Sequence, residues 1–167
     1  MEVIQQLKQD GIAKGLCQPW QNKLRDGVSV KRLVDLYVRG IDFCIKNDYP
    51  TLEFIRDNFK GKCEQYGVYI DDSVTEKDRK TIVLNGDCKA MLEYGGYSVS
   101  TVFVRHNSQA AIVASKFANV TIDAFDNSHL VVAVTGKARV SVNLYGDASV
   151  EVIGNDVKIR KTNKRVY

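Results

Sequence analysis

Hydrophobic and polar residues alternate along residues 78–154 in copies of ten residues, and this repeat is the strongest pattern in the chain. The third, fifth and seventh positions of each copy are mostly apolar, and the ninth collects turn formers such as Gly86, Gly96 and Gly136. The fifth position is apolar in every copy: Ile82, Leu92, Val102, Ile112, Ile122, Val132, Val142 and Val152. Alternating inward positions followed by a turn predict one short β-strand per copy.

The side chains between the inward positions follow a longer period of twenty residues. At the fourth position, the odd copies carry Thr81, Thr101, Thr121 and Ser141, and the even copies carry Met91, Ala111, Val131 and Glu151. Each copy therefore shares its surroundings with the copy two places away, as in a flattened coil with two strands per turn. The sequence predicts a mainly β protein, a two-faced parallel β-solenoid of about four 20-residue coils. An antiparallel β-meander is the less favoured alternative.

The first third of the chain has helical patterning. Apolar residues recur at spacings of three and four from Val30 to Ile45, which predicts one amphipathic helix with Ser29 before it. Shorter helices are predicted on either side of it. We therefore expect a small helical head at 1–67, the solenoid at 68–157 and a basic C-terminal tail at 158–167. Val157 and Ile159 are expected to form a last strand that closes the C-terminal end of the solenoid.

Charge is concentrated at the C-terminus. The formal net charge is +4, and the last twelve residues account for all of it, because five cations there face only Asp156. Those cations are Lys158, Arg160, Lys161, Lys164 and Arg165. Such a run could contact nucleic-acid phosphates, although a solvated terminus is the commoner reason for it. Nucleic-acid binding through the tail is therefore the less favoured partner hypothesis.

Cysteine usage and hydropathy bear on the compartment. Cys17, Cys44, Cys63 and Cys88 are far apart and show no CxxC or Cys/His spacing, which favours reduced thiols and argues against a zinc site. No stretch is apolar enough to span a bilayer, and the start lacks the profile of a signal peptide. We expect a cytoplasmic protein of the host or producing cell, with the virion as the alternative location. No metal, cofactor or membrane partner is expected.

Catalytic constellations are sparse. The two histidines, His106 and His129, fall in copies that face opposite ways, so they do not suggest a Ser-His-acid arrangement. The column Phe103, Asp123 and Asn143 contains a single carboxylate, whereas glycoside hydrolysis generally uses two. The sequence therefore predicts a protein that is not an enzyme, and a sugar-active solenoid enzyme is the least favoured alternative.

Two surfaces are candidates for binding. The apolar stripe of the even copies comprises Met91, Ala111, Val113, Val131, Ala133 and Ile153. Either the N-terminal helices cover this stripe, or it is an interface with a second copy or another protein. On the odd copies, a candidate ligand platform combines Arg105 with Phe125 and Tyr145, whose rings could stack on a base or a sugar.

A resemblance rests on the helical segment. Residues 32–45 (RLVDLYVRGIDFCI), Tyr49–Pro50 and residues 54–59 (FIRDNF) resemble uncharacterised proteins carried by gut-bacterial genomes and their phages. This resemblance implies a phage or mobile-element accessory role, and it brings no known catalytic residues. The repeats are similar in style to bactofilin-type β-solenoids, a likeness of architecture only.

These observations together predict a non-enzymatic binding or assembly module that acts through its solenoid faces. A discrete homo-oligomer, most simply a dimer or trimer, is expected, or else a complex with another protein. A nucleic-acid-binding accessory protein is the alternative.

Overall fold

The computed structural model describes residues 2–167. It divides into two compact units, a helical one that ends at Tyr66 and also includes Tyr167, and a β unit spanning Gly67–Val166.

The helical unit contains five short α-helices: α1 (Glu2–Ala13), α2 (Gln18–Gln21), α3 (Val30–Arg39), α4 (Ile41–Asn47) and α5 (Leu52–Phe59). A 3₁₀ turn follows at Glu64–Tyr66. Two N-caps define helix starts, because Ser29 Oγ accepts from the Arg32 N–H at 3.2 Å and Thr51 Oγ1 accepts from the Phe54 N–H at 3.3 Å. Buried side chains from several helices form its core: Leu7, Leu24, Leu33, Leu36, Cys44 and Tyr49.

The long helix predicted from Val30 to Ile45 is interrupted at Gly40, so that prediction is wrong at its centre. Gly40 leaves helical geometry with φ −105° and ψ 26°. A Cβ atom at this position would lie 3.3 Å from the Trp20 ring, so the absence of a side chain allows the ring to approach the backbone. The apolar periodicity runs through the break because α3 and α4 both contribute buried residues.

The β unit contains eleven strands, each three to six residues long. They are β1 (Val68–Ile70), β2 (Ser73–Lys77), β3 (Thr81–Asn85), β4 (Lys89–Tyr94), β5 (Val99–Val104), β6 (Gln109–Ala114), β7 (Asn119–Ala124), β8 (His129–Val134), β9 (Arg139–Leu144), β10 (Ser149–Gly154) and β11 (Val157–Lys161). The ten-residue copies of the sequence are thus single strands with their turns.

Strands adjacent in sequence lie in different sheets. The odd sheet has the order β1-β3-β5-β7-β9-β11, the even sheet has the order β2-β4-β6-β8-β10, and the pairs in both are parallel. Ile122 pairs with Val102 on one side and with Val142 on the other. This pairing confirms the predicted two-faced parallel β-solenoid of about four coils, and the antiparallel meander is not favoured.

The solenoid interior is an apolar core between the two sheets. Ile82, Leu92, Val102, Ile122 and Val132 are fully or almost fully buried there, as the period predicts. In the even sheet, the large side chain of Tyr94 lies beside the small Ala114. Pairing of a large with a small residue lets side chains interdigitate at the density typical of protein interiors.

The turns share one backbone requirement at the ninth position of each copy. Gly86, Gly96, Gly136 and Gly146 have positive φ, and so do the non-glycine residues in this column, His106, Lys116, Asp126 and Asp156. A left-handed residue reverses the chain between the sheets, and glycine adopts that conformation at least cost. His106 and Lys116, which are not usual turn formers, therefore adopt the same turn conformation as the glycines.

The two ends of the solenoid differ. At the N-terminal end, β1 is buried along its whole length. At the C-terminal end, β10 and β11 are each paired on one side only, and Val152 and Ile159 expose 37% and 48% of their surfaces. The predicted last strand is present, but it does not close the end. It also extends into the segment predicted as a tail, because Lys158–Lys161 belong to β11.

Candidate interaction face

The outward surface of the even sheet, here called the even face, brings the predicted apolar stripe together in two columns. Parallel pairing places Met91, Ala111 and Val131 side by side on the adjacent strands β4, β6 and β8. The neighbouring column contains Val113, Ala133 and Ile153 in the same register. The side chains of a column point to one side of the sheet, so the six residues form a continuous patch across four strands.

This patch is accessible to solvent. Met91 and Ile153 expose 60% and 63% of their surfaces, Val113 is also exposed, and Ala111, Val131 and Ala133 are half-buried. Small, flat side chains in the middle and longer ones at two corners make a surface of low relief. Contiguous apolar area of this kind is typical of interaction sites.

Charged residues border the patch and differ between its two ends. Near β2, the exposed Lys77 Nζ lies 3.7 Å from the Glu93 carboxylate, and Lys89 is exposed on the next strand. At the other end, on β10, Glu151 is exposed and follows Val131 in its column. The N-terminal end of the even face therefore carries a surplus cation and the C-terminal end a carboxylate.

The predicted ligand platform is buried. Phe125 and Tyr145 stack on each other with ring centroids 4.7 Å apart and an interplanar angle of 13°. Arg105 is also buried, and its Nη1 donates to Asn85 Oδ1 at 3.3 Å. Burial raises the pKa of Tyr145, as expected for a phenol that packs in the structure. The three residues come together as predicted, but they leave no exposed ring face on which a ligand could stack.

The histidines make local contacts. The His106 Nδ1 accepts from the Gly86 N–H at 3.0 Å, which ties two successive turns together. The His129 Nδ1 lies 2.7 Å from Ser149 Oγ in the even sheet. On the two strands that precede this serine–histidine pair, its column contains Gln109 and Lys89 and no acidic residue that could complete a Ser-His-acid arrangement. Across residues 2–167, no three His, Cys, Asp or Glu side chains group so that they could hold a metal ion.

The C-terminal cations lie in two places. Lys158, Arg160 and Lys161 belong to β11, whereas Lys164 and Arg165 follow it. All five are exposed. The chain after β11 runs along the turn that follows β9, because the Gly146 N–H donates to the Lys164 carbonyl oxygen at 2.9 Å. It is hydrogen-bonded to the solenoid there.

One surface feature was missed from the sequence. Tyr97 and Phe117, both exposed, stack with centroids 4.8 Å apart and an interplanar angle of 3°, and Lys137 Nζ lies 5.7 Å from the Phe117 ring. They occupy the tenth position of three even copies. The twenty-residue period, applied to the turns as well as to the strands, would have found this ladder.

Comparison with protein-family models, with curated proteins and with solved structures gives no match to this chain. Within residues 2–167, none of the helices combines the length and the apolar character that crossing a membrane requires.

Proposed function

We propose that this protein is a non-enzymatic assembly module whose even face binds the even face of a second copy. The apolar patch of the even face, in which Met91, Val113 and Ile153 are exposed, is the observation that carries the proposal. The resemblance of the helical segment to phage and gut-bacterial proteins supports an accessory or structural role in a phage or mobile element, in the cytoplasm or the virion.

The chemistry of the patch favours association by burial. Transfer of apolar surface from water contributes about 25 cal/mol per Å², and side chains of low relief allow two sheets to meet with few gaps. The sheets of a face-to-face pair would lie about 10 Å apart, as in stacked sheets generally. A two-fold axis lying in the interface and parallel to the strands would make the same patch serve both copies.

The border charges fit that two-fold arrangement. Rotation about such an axis places the N-terminal end of one even face over the C-terminal end of the other. With β4 over the partner's β10, Met91 lies over Glu151, and in the middle of the face Ala111 lies over Val131. Lys89 lies two residues along β4 from Met91, so it is a diagonal neighbour of the partner's carboxylate. Complementary charges at the rim set orientation and register more than they add affinity.

The test is the solution mass of Val131→Lys. A lysine in the middle of the patch would bury a charge against apolar side chains, so we expect the mass at a given concentration to fall to half or less, with unchanged far-ultraviolet circular dichroism. Thr135→Lys, in the exposed turn after β8, adds the same charge outside the face and should leave the mass unchanged. A wild-type chain that is monomeric at its solubility limit would refute the face contact.

Nucleic-acid binding is the alternative, and the exposure of all five C-terminal cations favours it. Binding through those cations would weaken steeply as salt rises, whereas an apolar contact would not. A salt-sensitive mobility shift with mixed nucleic acid, retained in Val131→Lys, would select this alternative.

A further inference from the structure

At the C-terminal end of the solenoid, no strand within residues 2–167 pairs with the outer edges of the last two strands. β10 pairs only with β8, and β11 pairs only with β9. Val152 and Ile159 point inward from these strands and are 37% and 48% exposed, so the apolar interior opens to solvent there. Open edges of this kind are sites at which another strand can add.

We propose that this end pairs with the same end of a second copy, β10 of each chain adding to β11 of the other. The contact uses the open backbone edges of the last coil and not the apolar patch of the even face, although Glu151 borders both surfaces, so this inference does not depend on the proposed function. A two-fold axis parallel to the strands, passing between the two sheets, brings β10 of one copy antiparallel to β11 of the other at both contacts. The result is a closed pair of solenoids with one continuous core.

The hydrogen-bond groups are correctly placed for this pairing. The Ser149 N–H donates to the Ser128 carbonyl oxygen at 3.1 Å, so the alternate residues Val150 and Val152 direct their N–H groups to the open edge. On the other strand, the Thr162 N–H donates to the Leu144 carbonyl oxygen at 3.1 Å, so Val157 and Ile159 direct theirs to the open edge. The residues with open backbone groups are therefore the inward-facing ones on both strands.

Antiparallel pairing that opposes inward residues to inward residues has two registers with large overlap. In one, Val152 lies opposite Ile159, and in the other it lies opposite Val157. Both registers place hydrogen-bonded pairs at the inward positions and closer, non-hydrogen-bonded pairs at the outward positions. The apolar side chains then stack on the interior of the partner's last coil.

The outward positions decide which strands pair. β10 carries the exposed Glu151, and β11 carries the exposed Lys158 and Arg160. In the two registers, Glu151 lies opposite Arg160 or Lys158, respectively. Pairing of β11 with a second β11 would instead set cations against cations, which is destabilising for directly opposed positions. Charge thus favours β10 with β11 over pairing of like strands.

Pairing of the C-terminal end with the N-terminal end of another copy is disfavoured by burial. The edge strand β1 is buried throughout, with Ile70 fully inaccessible. The other edge strand at that end, β2, pairs with β4, and its inward residue Val74 is only 4% exposed. The apolar interior is therefore covered at the N-terminal end and open at the C-terminal end, which supports a closed pair over a head-to-tail filament.

Solution mass in the Val131→Lys background tests the inference, because that substitution removes the even-face contact. We expect this chain to be dimeric through its end. Adding Glu151→Lys should make it monomeric, and so should adding Lys158→Glu with Arg160→Glu, because each change opposes like charges. Glu93→Lys, a charge reversal on the same sheet far from the end, should leave the dimer intact.

Mixing the two monomeric variants gives the decisive result. Both contacts of the mixed pair then oppose unlike charges, because the reversed β10 of one chain meets the reversed β11 of the other and the two unaltered strands meet each other. Native mass spectrometry should therefore show a dimer with one copy of each variant. Recovery of that dimer also shows that both variants fold.

Two results would overturn the end pairing. One is a Val131→Lys chain that is monomeric at its solubility limit, and the other is a mixture of the two charge variants that stays monomeric. Neither result would affect the even-face contact, which is tested separately by the fall in mass from wild type to Val131→Lys.

Discussion

At the scale of single residues, the interior hydroxyl of Tyr94 is the feature with the clearest consequence. Tyr94 is 1% exposed, and its hydroxyl has no hydrogen-bond partner among the residues that the structure describes. A buried polar group without a partner costs about 1–3 kcal/mol relative to a satisfied one. Burial also raises the pKa of its phenol well above the ordinary value.

Tyr94→Phe should therefore leave stability at neutral pH unchanged or raise it by up to about 1 kcal/mol, since it removes a hydroxyl with no partner. The pKa shift fixes the pH dependence. A phenol whose pKa is raised by folding stabilises the folded state below the unfolded pKa of about 10, and that contribution is lost as pH rises further. Denaturant unfolding at neutral and alkaline pH should show a smaller alkaline loss in Tyr94→Phe than in wild type. An equal alkaline loss of stability in both proteins would mean that the ionisation of Tyr94 does not contribute to that loss.

Two glycines with positive φ allow the cost of left-handed backbone geometry to be distinguished from the cost of a steric clash. Gly67 has φ 86°, and a Cβ there would lie 2.5 Å from the Thr81 carbonyl oxygen, whereas Gly96 has φ 58° and an open surrounding. Gly96→Ala should cost about 1–2 kcal/mol, the penalty for a left-handed residue with a side chain. Gly67→Ala should cost clearly more, because a backbone oxygen must also shift. Thermal unfolding of the two variants checks the order, and equal melting temperatures would contradict it.

At the scale of elements, inward and outward positions alternate within each strand. Val132 is fully buried in β8, and Thr121 is half-buried on the outward side of β7. Val132→Asp should unfold the repeats or cost several kcal/mol, because a carboxylate would lie unpaired between two coils. Thr121→Ala should cost less than about 1 kcal/mol. Urea titration measures both, and similar costs would contradict the assigned sides.

The strands could be predicted from the sequence because every copy repeats the same local requirement. Pairing of Ile122 with Val102 and Val142 follows from the twenty-residue period, since stacked coils place identical positions side by side. The helix break at Gly40 could not be predicted in this way. It depends on the close approach of Trp20, a contact between elements that no periodic pattern contains.

Candidate sites were predictable to the extent that they depend on register. The columns of the even face follow directly from the period, and so does the stacking of Phe125 on Tyr145. Whether a column is exposed is decided by tertiary packing. The platform residues Arg105, Phe125 and Tyr145 are buried for that reason, although their spacing alone is equally compatible with an open surface.

At the scale of the whole molecule, the solenoid is an unequal stack, in which the coils differ in their number of neighbours and in the burial of their interior. Its middle coils have sheet neighbours on both sides, and Ile112, Ile122 and Val132 are fully or almost fully buried. The last coil has neighbours on one side only, and its interior is open. In a repeat protein, stability is close to a sum of coil terms and nearest-neighbour contacts, so the end coil lacks one contact.

Amide hydrogen exchange should be faster in the last coil, which has one neighbour, than in the middle coils, which have two. In dilute Val131→Lys chains carrying Glu151→Lys, which we expect to be monomeric, the Val150, Val152 and Ile159 amides should exchange fast, because their N–H groups face solvent. Amides of β6 to β8 should exchange only through much larger openings and be protected by several orders of magnitude more. In concentrated Val131→Lys chains that keep Glu151, end pairing would bond those same N–H groups, and their exchange should slow selectively. Equal protection across all coils in the dilute variant would contradict the unequal stack, since the end strands would then need a further cover within the chain.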